Sequence, residues 1–262
     1  MNTRHPHVAL RDHDIALSLH GVGKRYADTE VLRGIDLDIP RGQRHALIGP
    51  NGAGKSTLFD IVSGRIAATA GSVRLDGEDI SGLAPHRRAR RGLTRSFQIT
   101  SLFANLTVFE NLRSAVLAAS GARYAMWRRL EQMHAVRDRA ADMLASIGLE
   151  ARRDAPAGEL SYAEQRALEL GVTLAGGAQV ILLDEPTAGM SRAETHAAIE
   201  LIRRLTEGRT LLIVEHDMDV VFGLADRVSV LVRGELVASD TPAAIRAHPI
   251  VREAYLGSLA AP

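Results

Sequence analysis

An α/β fold on a mainly parallel sheet is what this sequence predicts, on three observations. Short apolar runs end abruptly in turn or charged residues, helical stretches fall between them, and a glycine-rich loop joins one such run to one such helix. The runs are His45–Ile48, Val180–Leu183 and Leu211–Val214. Each is short and apolar throughout, as expected of a parallel strand covered by helices on both faces. The helical stretches Lys55–Ser63 and Arg192–Leu205 supply that cover, and strand–helix–strand alternation defines the class.

Taken in chain order, residues 1–13 form a polar tail containing His and Arg. Ile35–Ile39 alternates apolar and charged residues, as a half-exposed strand should. The basic stretch from His86 to Arg91 reads as a solvated helix face. Between Val108 and Leu149 strand signals vanish, and Ala, Arg, Leu and Met recur at helical spacing. This middle is expected to be a helical subdomain inserted in the sheet domain. Near the end, Thr241 and Pro242 suit the N-cap and first position of a terminal helix.

Composition narrows the function classes. A chain of 262 residues with 46% hydrophobic content can bury a sizeable core, as one elaborated domain or two close-packed subdomains. Its net charge of +1 sets up no global field to recruit nucleic acid or anionic lipid. The absence of cysteine excludes disulfides and thiolate metal sites. The first residues lack the apolar core of a secretory signal, and no apolar run approaches the roughly 18–20 residues that span a bilayer. A soluble chain is expected, meeting any membrane through a partner.

Gly49-Pro50-Asn51-Gly52-Ala53-Gly54-Lys55-Ser56-Thr57 satisfies G-x-x-x-x-G-K-[ST], with a strand before it and a helix after it. Glycines there let successive backbone N–H groups close around phosphate oxygens, and the helix N-terminus adds a positive dipole. Lys55 is the mobile cation for the β- and γ-phosphates, and the Ser56 hydroxyl can ligate Mg²⁺. The chain is therefore expected to bind a nucleoside triphosphate. Val180–Leu183 runs into Asp184 and Glu185 at the carboxyl tip of its strand, where ligands of open α/β sheets sit. Asp184 suits the Mg²⁺ shell and Glu185 the polarisation of an attacking water.

With both motifs in place, the chain resembles the ABC ATPase family over most of its length. Leu160-Ser161-Tyr162-Ala163-Glu164-Gln165-Arg166 is similar to the family's signature, in which Ser and backbone N–H groups at a helix start grip the γ-phosphate. By that resemblance Ser161, Ala163 and Glu164 join the nucleotide site. Gln98, in Arg95-Ser96-Phe97-Gln98, matches the glutamine that senses Mg²⁺ and the water; His216 matches the histidine that contacts γ-phosphate. Tyr26 sits where the family stacks an aromatic ring on adenine. The six features follow one another in the family's order. Two departures stand out. The usual signature has two glycines where this chain has Tyr162 and Ala163; a left-handed backbone at the second would cost Ala roughly 1–2 kcal/mol. The loop after the acidic pair, which usually ends in Asp, offers Ser191.

The resemblance implies a P-loop NTPase core with a mainly parallel sheet, an N-terminal antiparallel β subdomain and an inserted helical subdomain. It places a single domain over 14–262, with sheet segments 14–97 and 178–240, helical subdomain 98–177 and helical tail 241–262. It further implies ATP and Mg²⁺ as cofactors, and a head-to-tail pair with a second ABC ATPase subunit, identical or paralogous. The signature of one copy would complete the phosphate site of the other. Transmembrane permease subunits would hold the pair at the cytoplasmic face of the inner or plasma membrane, with an extracytoplasmic solute-binding protein acting indirectly and no nucleic acid.

The signature form Ser161–Arg166, Leu102–Leu112, the Pro-Thr-Ala-Gly-Met turn at 186–190, residues Glu215–Leu231 and the terminal Val251–Gly257 resemble the subfamily importing branched-chain amino acids. Urea and short-amide importers share much of this pattern. An exporter or lipid-extraction ATPase would carry a nearly identical cassette, and a soluble, non-transport ABC ATPase is a rival of a different class. Against that rival, no sustained heptads separate Lys55 from Ser161, and the chain holds one cassette.

Overall fold

The computed structural model describes residues 14–96, 102–120 and 129–249. Gln98 and the terminal Val251–Gly257 lie outside the described residues. Four antiparallel strands form one sheet: β1 (Ile15–Tyr26), β2 (Thr29–Pro40), β4 (Ala70–Leu75) and β5 (Glu78–Asp79), in the order β2-β1-β4-β5. The predicted alternation in β2 is observed, with Ile35, Leu37 and Ile39 buried and Asp36 and Asp38 exposed. This is a sheet with one wet face.

The second sheet carries the site. It comprises β3 (Arg44–Ile48), β6 (Leu93–Arg95), β7 (Val180–Asp184), β8 (Thr210–Val214), β9 (Arg227–Val232) and β10 (Glu235–Asp240), ordered β10-β9-β3-β8-β7-β6. All its neighbours pair in parallel except β10 with β9. Every residue of β7 and β8 is buried, as runs covered on both faces should be. The three predicted apolar runs are β3, β7 and β8. They lie side by side, so their carboxyl ends open onto one edge. Asp184 at the end of β7 sits in register with Val214 at the end of β8.

Helix α1 (Lys55–Ser63) has the predicted bounds because a left-handed glycine stands at each end, Gly54 at φ 107° and Gly64 at φ 80°. It lies between the two sheets, burying Leu58, Phe59, Ile61 and Val62 in their shared core. The short helix α2 (Pro85–Arg90) corrects the reading of the basic stretch. His86, Arg87, Arg90 and Arg91 are exposed as expected, but Arg88 is buried. Its guanidinium donates to the carbonyls of Ile61 and Val62 at 2.8 and 2.7 Å, and to those of Leu83 and Ser81 at 2.9 Å each. Carbonyls in the last turn of a helix lack intrahelical donors, and this cation serves two of them. Gly64 makes room for it, since a Cβ there would stand 2.6 Å from Arg88 Nε.

Helices α3 (Val108–Ala119), α4 (Arg129–Ser146) and α5 (Tyr162–Ala175) pack round Val108, Leu112, Val116, Ala140, Leu144 and Leu168. The other face of α5 joins β7, β8 and helix α6 (Arg192–Leu205) through Leu170 and Leu174. The helical unit thus rests on the sheet through the signature helix. Thr107–Glu110, Ser161–Glu164 and Ser191–Glu194 form reciprocal capping boxes at the starts of α3, α5 and α6, each worth about 1 kcal/mol. Helices α7 (Met218–Leu224) and α8 (Pro242–Ala247) follow β8 and β10. Thr241 caps α8, its hydroxyl accepting from the Ala244 N–H, with Pro242 at the first position as expected.

Candidate nucleotide site

The glycine loop leaves β3 and turns into α1. Gly49, at φ 158°, has no space for a side chain, because a Cβ would stand 2.1 Å from the Leu231 carbonyl oxygen of the neighbouring strand. Gly54 is closed in by Leu32 of β2 and combines tight packing with left-handed backbone. Ala53 and Lys55 are buried, Pro50 and Thr57 partly buried, and Asn51, Gly52 and Ser56 exposed. The Lys55 ammonium folds back into the loop, donating to the carbonyls of Gly49 at 2.6 Å and Pro50 at 3.1 Å. Burial pushes its pKa down, while the charges of Glu185 and Asp184 pull it back up. A buried ammonium in the field of two carboxylates, on a glycine loop at the start of a helix, fits a triphosphate.

Asp184 is held from one side. Arg95, at the end of β6, donates through Nη2 to Asp184 Oδ2 at 2.6 Å and through Nη1 to Asp60 Oδ1 of α1 and to Ser63 Oγ. Both Arg95 and Asp184 have almost no exposed side chain, at 7% and 1%. Among the described residues no cluster of three His, Cys, Asp or Glu could cage a metal. The side chains that could contribute to a magnesium ion are Ser56 and Asp184, with Gln98 outside the described residues.

Glu185 follows with a left-handed backbone, φ 47°, a conformation costing a non-glycine residue about 1–3 kcal/mol. It is retained by its N–H, which donates to the Val214 carbonyl at 2.8 Å, and by its own carbonyl, which accepts from Ala188 N–H at 3.1 Å. The effect is to aim the carboxylate away from the strand, where Oε1 meets His216 Nε2 at 2.8 Å. Both groups are partly open, 32% and 42% exposed. A carboxylate and an imidazole in contact, open to solvent beside a phosphate nest, can orient and deprotonate a water.

Tyr26 is half exposed at the end of β1, with Lys24 Nζ 4.8 Å from its ring centre. It pairs with Thr29, two residues before Val31, whose carbonyl abuts Gly54, so the ring stands on the hairpin that borders the loop. Ser161 and Glu164 are engaged in the cap of α5: Ser161 Oγ accepts from Glu164 N–H at 3.3 Å, and the Glu164 carboxylate accepts from Ser161 N–H at 2.8 Å. Ala163 is helical, and among the described residues the positive-φ non-glycine residues are Ala27, Asp76, Glu185 and Arg233. The strain that a left-handed Ala163 would bring is therefore absent. Ser191, in place of the usual Asp, caps α6.

Three residues with a part in this site carry little signal in the sequence. Arg95 has none beyond being a basic residue before Gln98. Glu215 stands beside His216, and its only mark is a carboxylate directly after a buried strand. Tyr162 reads there only as a departure from the signature. Its hydroxyl nevertheless donates to the Ala188 carbonyl at 2.7 Å and accepts from Arg166, tying the signature helix to the loop after Glu185.

The family described as ABC transporter matches residues 32–188. Two relatives are each 36% identical across 92% of this chain and 97% of their own length: the high-affinity branched-chain amino acid transport ATP-binding proteins BraF of Pseudomonas aeruginosa and LivG of Escherichia coli. Among solved structures, a nucleotide-free ATP-binding cassette from an ABC transporter superposes with a TM-score of 0.79 at 27% identity, covering 92% of this chain and 98% of that one. The ADP conformation of MJ1267, another such cassette, gives 0.81 at 28%, covering 93% and 99%. The chain belongs to the ABC transporter family; it is an ABC-type ATPase, and it binds nucleotide. Within that family, residues 235–261 match the C-terminal segment of the branched-chain amino acid ATP-binding cassette transporters. Among the described residues, no helix is long and apolar enough to cross a membrane.

Proposed function

We propose that this ATPase powers the uptake of branched-chain amino acids. The observation that carries the hydrolytic part is the Glu185–His216 contact, held open at the sheet edge beside the Lys55 loop. The backbone N–H groups of residues 51–57 and the Lys55 ammonium bind the triphosphate of ATP, with Tyr26 against adenine. Ser56 and Asp184, with Gln98 beyond the described residues, would hold Mg²⁺, which neutralises charge on the phosphates when bound. Glu185 takes a proton from the water that attacks the terminal phosphate, and His216 orients both the carboxylate and that phosphate. The new P–O bond forms as the bond to the bridging oxygen breaks, leaving ADP and phosphate. Glu185→Gln should keep ATP affinity and lose at least ~10²-fold in turnover, measured as steady-state phosphate release.

Two copies, identical or paralogous, pair head to tail, so that Ser161, Ala163 and Glu164 of one reach the nucleotide of the other. Within the single domain of 14–262, the helical subdomain at 98–177 carries that signature. The pair docks on permease subunits at the cytoplasmic face, with a solute-binding protein outside. The identity to BraF and LivG and the C-terminal match support the cargo class. The test is ATP hydrolysis by the chain reconstituted with its permease subunits. Stimulation by leucine, isoleucine or valine and none by urea supports the reading; the reverse pattern assigns the importer to short amides.

A further inference from the structure

We infer that Glu215 is a positioning residue for hydrolysis, locking the Glu185 loop and the His216 backbone into one unit. This rests on the roles of Glu185 and His216 given above. Glu215 is the first residue past β8 and is only 3% exposed. Each of its oxygens is used. Oε1 accepts from the Thr187 N–H at 3.1 Å and from the Thr187 hydroxyl at 2.6 Å; Oε2 accepts from the His216 N–H at 3.0 Å. Thr187 is itself buried and lies two residues past Glu185. A closed circuit results: Glu215 to Thr187, along the chain to Glu185, across the 2.8 Å contact to His216, and back through the His216 N–H.

Two features make this more than packing. A carboxylate taken out of water loses its hydration, so a buried Glu is an unfavourable way to fill space, and its three donors come from the two segments that carry the hydrolytic pair. The second feature is Glu185 itself. Its left-handed backbone persists only where the surroundings over-determine it, and the bonds from Thr187 to Glu215 anchor the loop just beyond it. With β7 and β8 already in register to Asp184 and Val214, the clamp sets where the two side chains meet. An ångström of slack between a base and its reacting water can cost up to about 10²-fold in rate.

The test uses the purified full chain, with phosphate release at varied ATP and retention of labelled ATP. Glu215→Gln retains shape but turns an N–H donor toward either the His216 N–H or the Thr187 donors. Thr187→Val removes only the hydroxyl, and Thr187→Ser puts it back. The expected result is kcat about tenfold lower in Glu215→Gln and severalfold lower in Thr187→Val, with KM and ATP retention within about twofold of the parent. Thr187→Ser should recover most of the lost turnover, and the Glu215→Gln/Thr187→Val double variant should be no slower than Glu215→Gln, since both break one clamp. If Glu215→Gln fails to fold, the Thr187 pair decides. Unchanged kcat in the Thr187→Val variant, or ATP retention falling in step with kcat, overturns the inference. Glu185→Gln is run beside them. If it loses turnover while the clamp variants do not, the clamp alone is wrong; if it turns over like the parent, the hydrolytic reading falls and the clamp with it.

Discussion

Two buried arginines flank helix α1, and they are held in opposite ways. Arg88 meets only neutral carbonyls, four of them, at the helix C-terminus. Arg95 meets two carboxylates, Asp60 on the helix and Asp184 at the site. Burial pushes the Arg88 pKa down, with the charge of Asp79 pulling it back up; an arginine nonetheless stays charged in proteins. The first cation therefore serves backbone acceptors at a helix end, and its role ends with the fold. The second neutralises Asp184, the carboxylate whose charge acts on Lys55 and which is proposed above to hold magnesium, so bound magnesium nucleotide would bring that carboxylate a competing cation. Burial alone does not separate a structural cation from a functional one; the identity of its acceptors does.

The largest effect expected from this contrast is at Arg88. Arg88→Ala leaves buried carbonyls short of donors and a cavity beside Gly64, costing about 3–5 kcal/mol of unfolding free energy. Urea titration measures it, and saturating nucleotide should restore no more stability than it adds to the parent. Next comes Arg95→Met, which strands Asp184 as a buried charge and should cost about 3 kcal/mol without nucleotide. Here Mg-ADP should raise the melting temperature by more than in the parent, because the bound metal replaces the missing cation. Equal nucleotide shifts in the two variants would erase the distinction.

A third buried basic group, His45 of β3, sharpens the contrast because its ring meets a hydroxyl and a side-chain amide in place of carboxylates or backbone carbonyls. Its ring nitrogens lie 2.8 Å from Ser229 Oγ and 3.1 Å from Gln43 Oε1. Burial, with the nearby charge of Arg227, lowers its pKa from 6.5 to about 4. The unfolded chain then binds a proton near pH 6.5 that the folded chain refuses until about pH 4. Stability from this residue is complete above pH 6.5 and declines on acidification, by up to about 3 kcal/mol by pH 4. The effect vanishes at neutrality, which makes it the smallest of the three there. Urea midpoints across that pH range should fall in the parent and flatten in His45→Gln.

The same residues mark how far the fold and site are legible in the sequence. The bounds of α1 and α6 are legible because local chemistry sets them, glycines at both ends of one and a Ser-x-x-Glu cap on the other. The fully buried strands are legible from their apolar runs, and the phosphate loop from its own spacing. Strand β6 is not: three residues, Leu93–Arg95, carry no pattern and become a strand only because the edge of β7 accepts them. Without β6, nothing places Arg95 beside Asp184. The burial of Arg88 is hidden for a related reason. A charge run of six residues gives no sign of which member faces the end of another helix. Glu215 reads as one more charge until β7 and β8 are put in register.

A triphosphate held between the Lys55 loop of one copy and the Ser161 helix of another is the arrangement on which the transport reading rests. Sedimentation of Glu185→Gln with and without Mg-ATP tests this most directly. A shift from monomer to dimer that requires ATP, and that Ser161→Arg abolishes while the loop still retains ATP, is the predicted result. A monomer at saturating, bound ATP would contradict it.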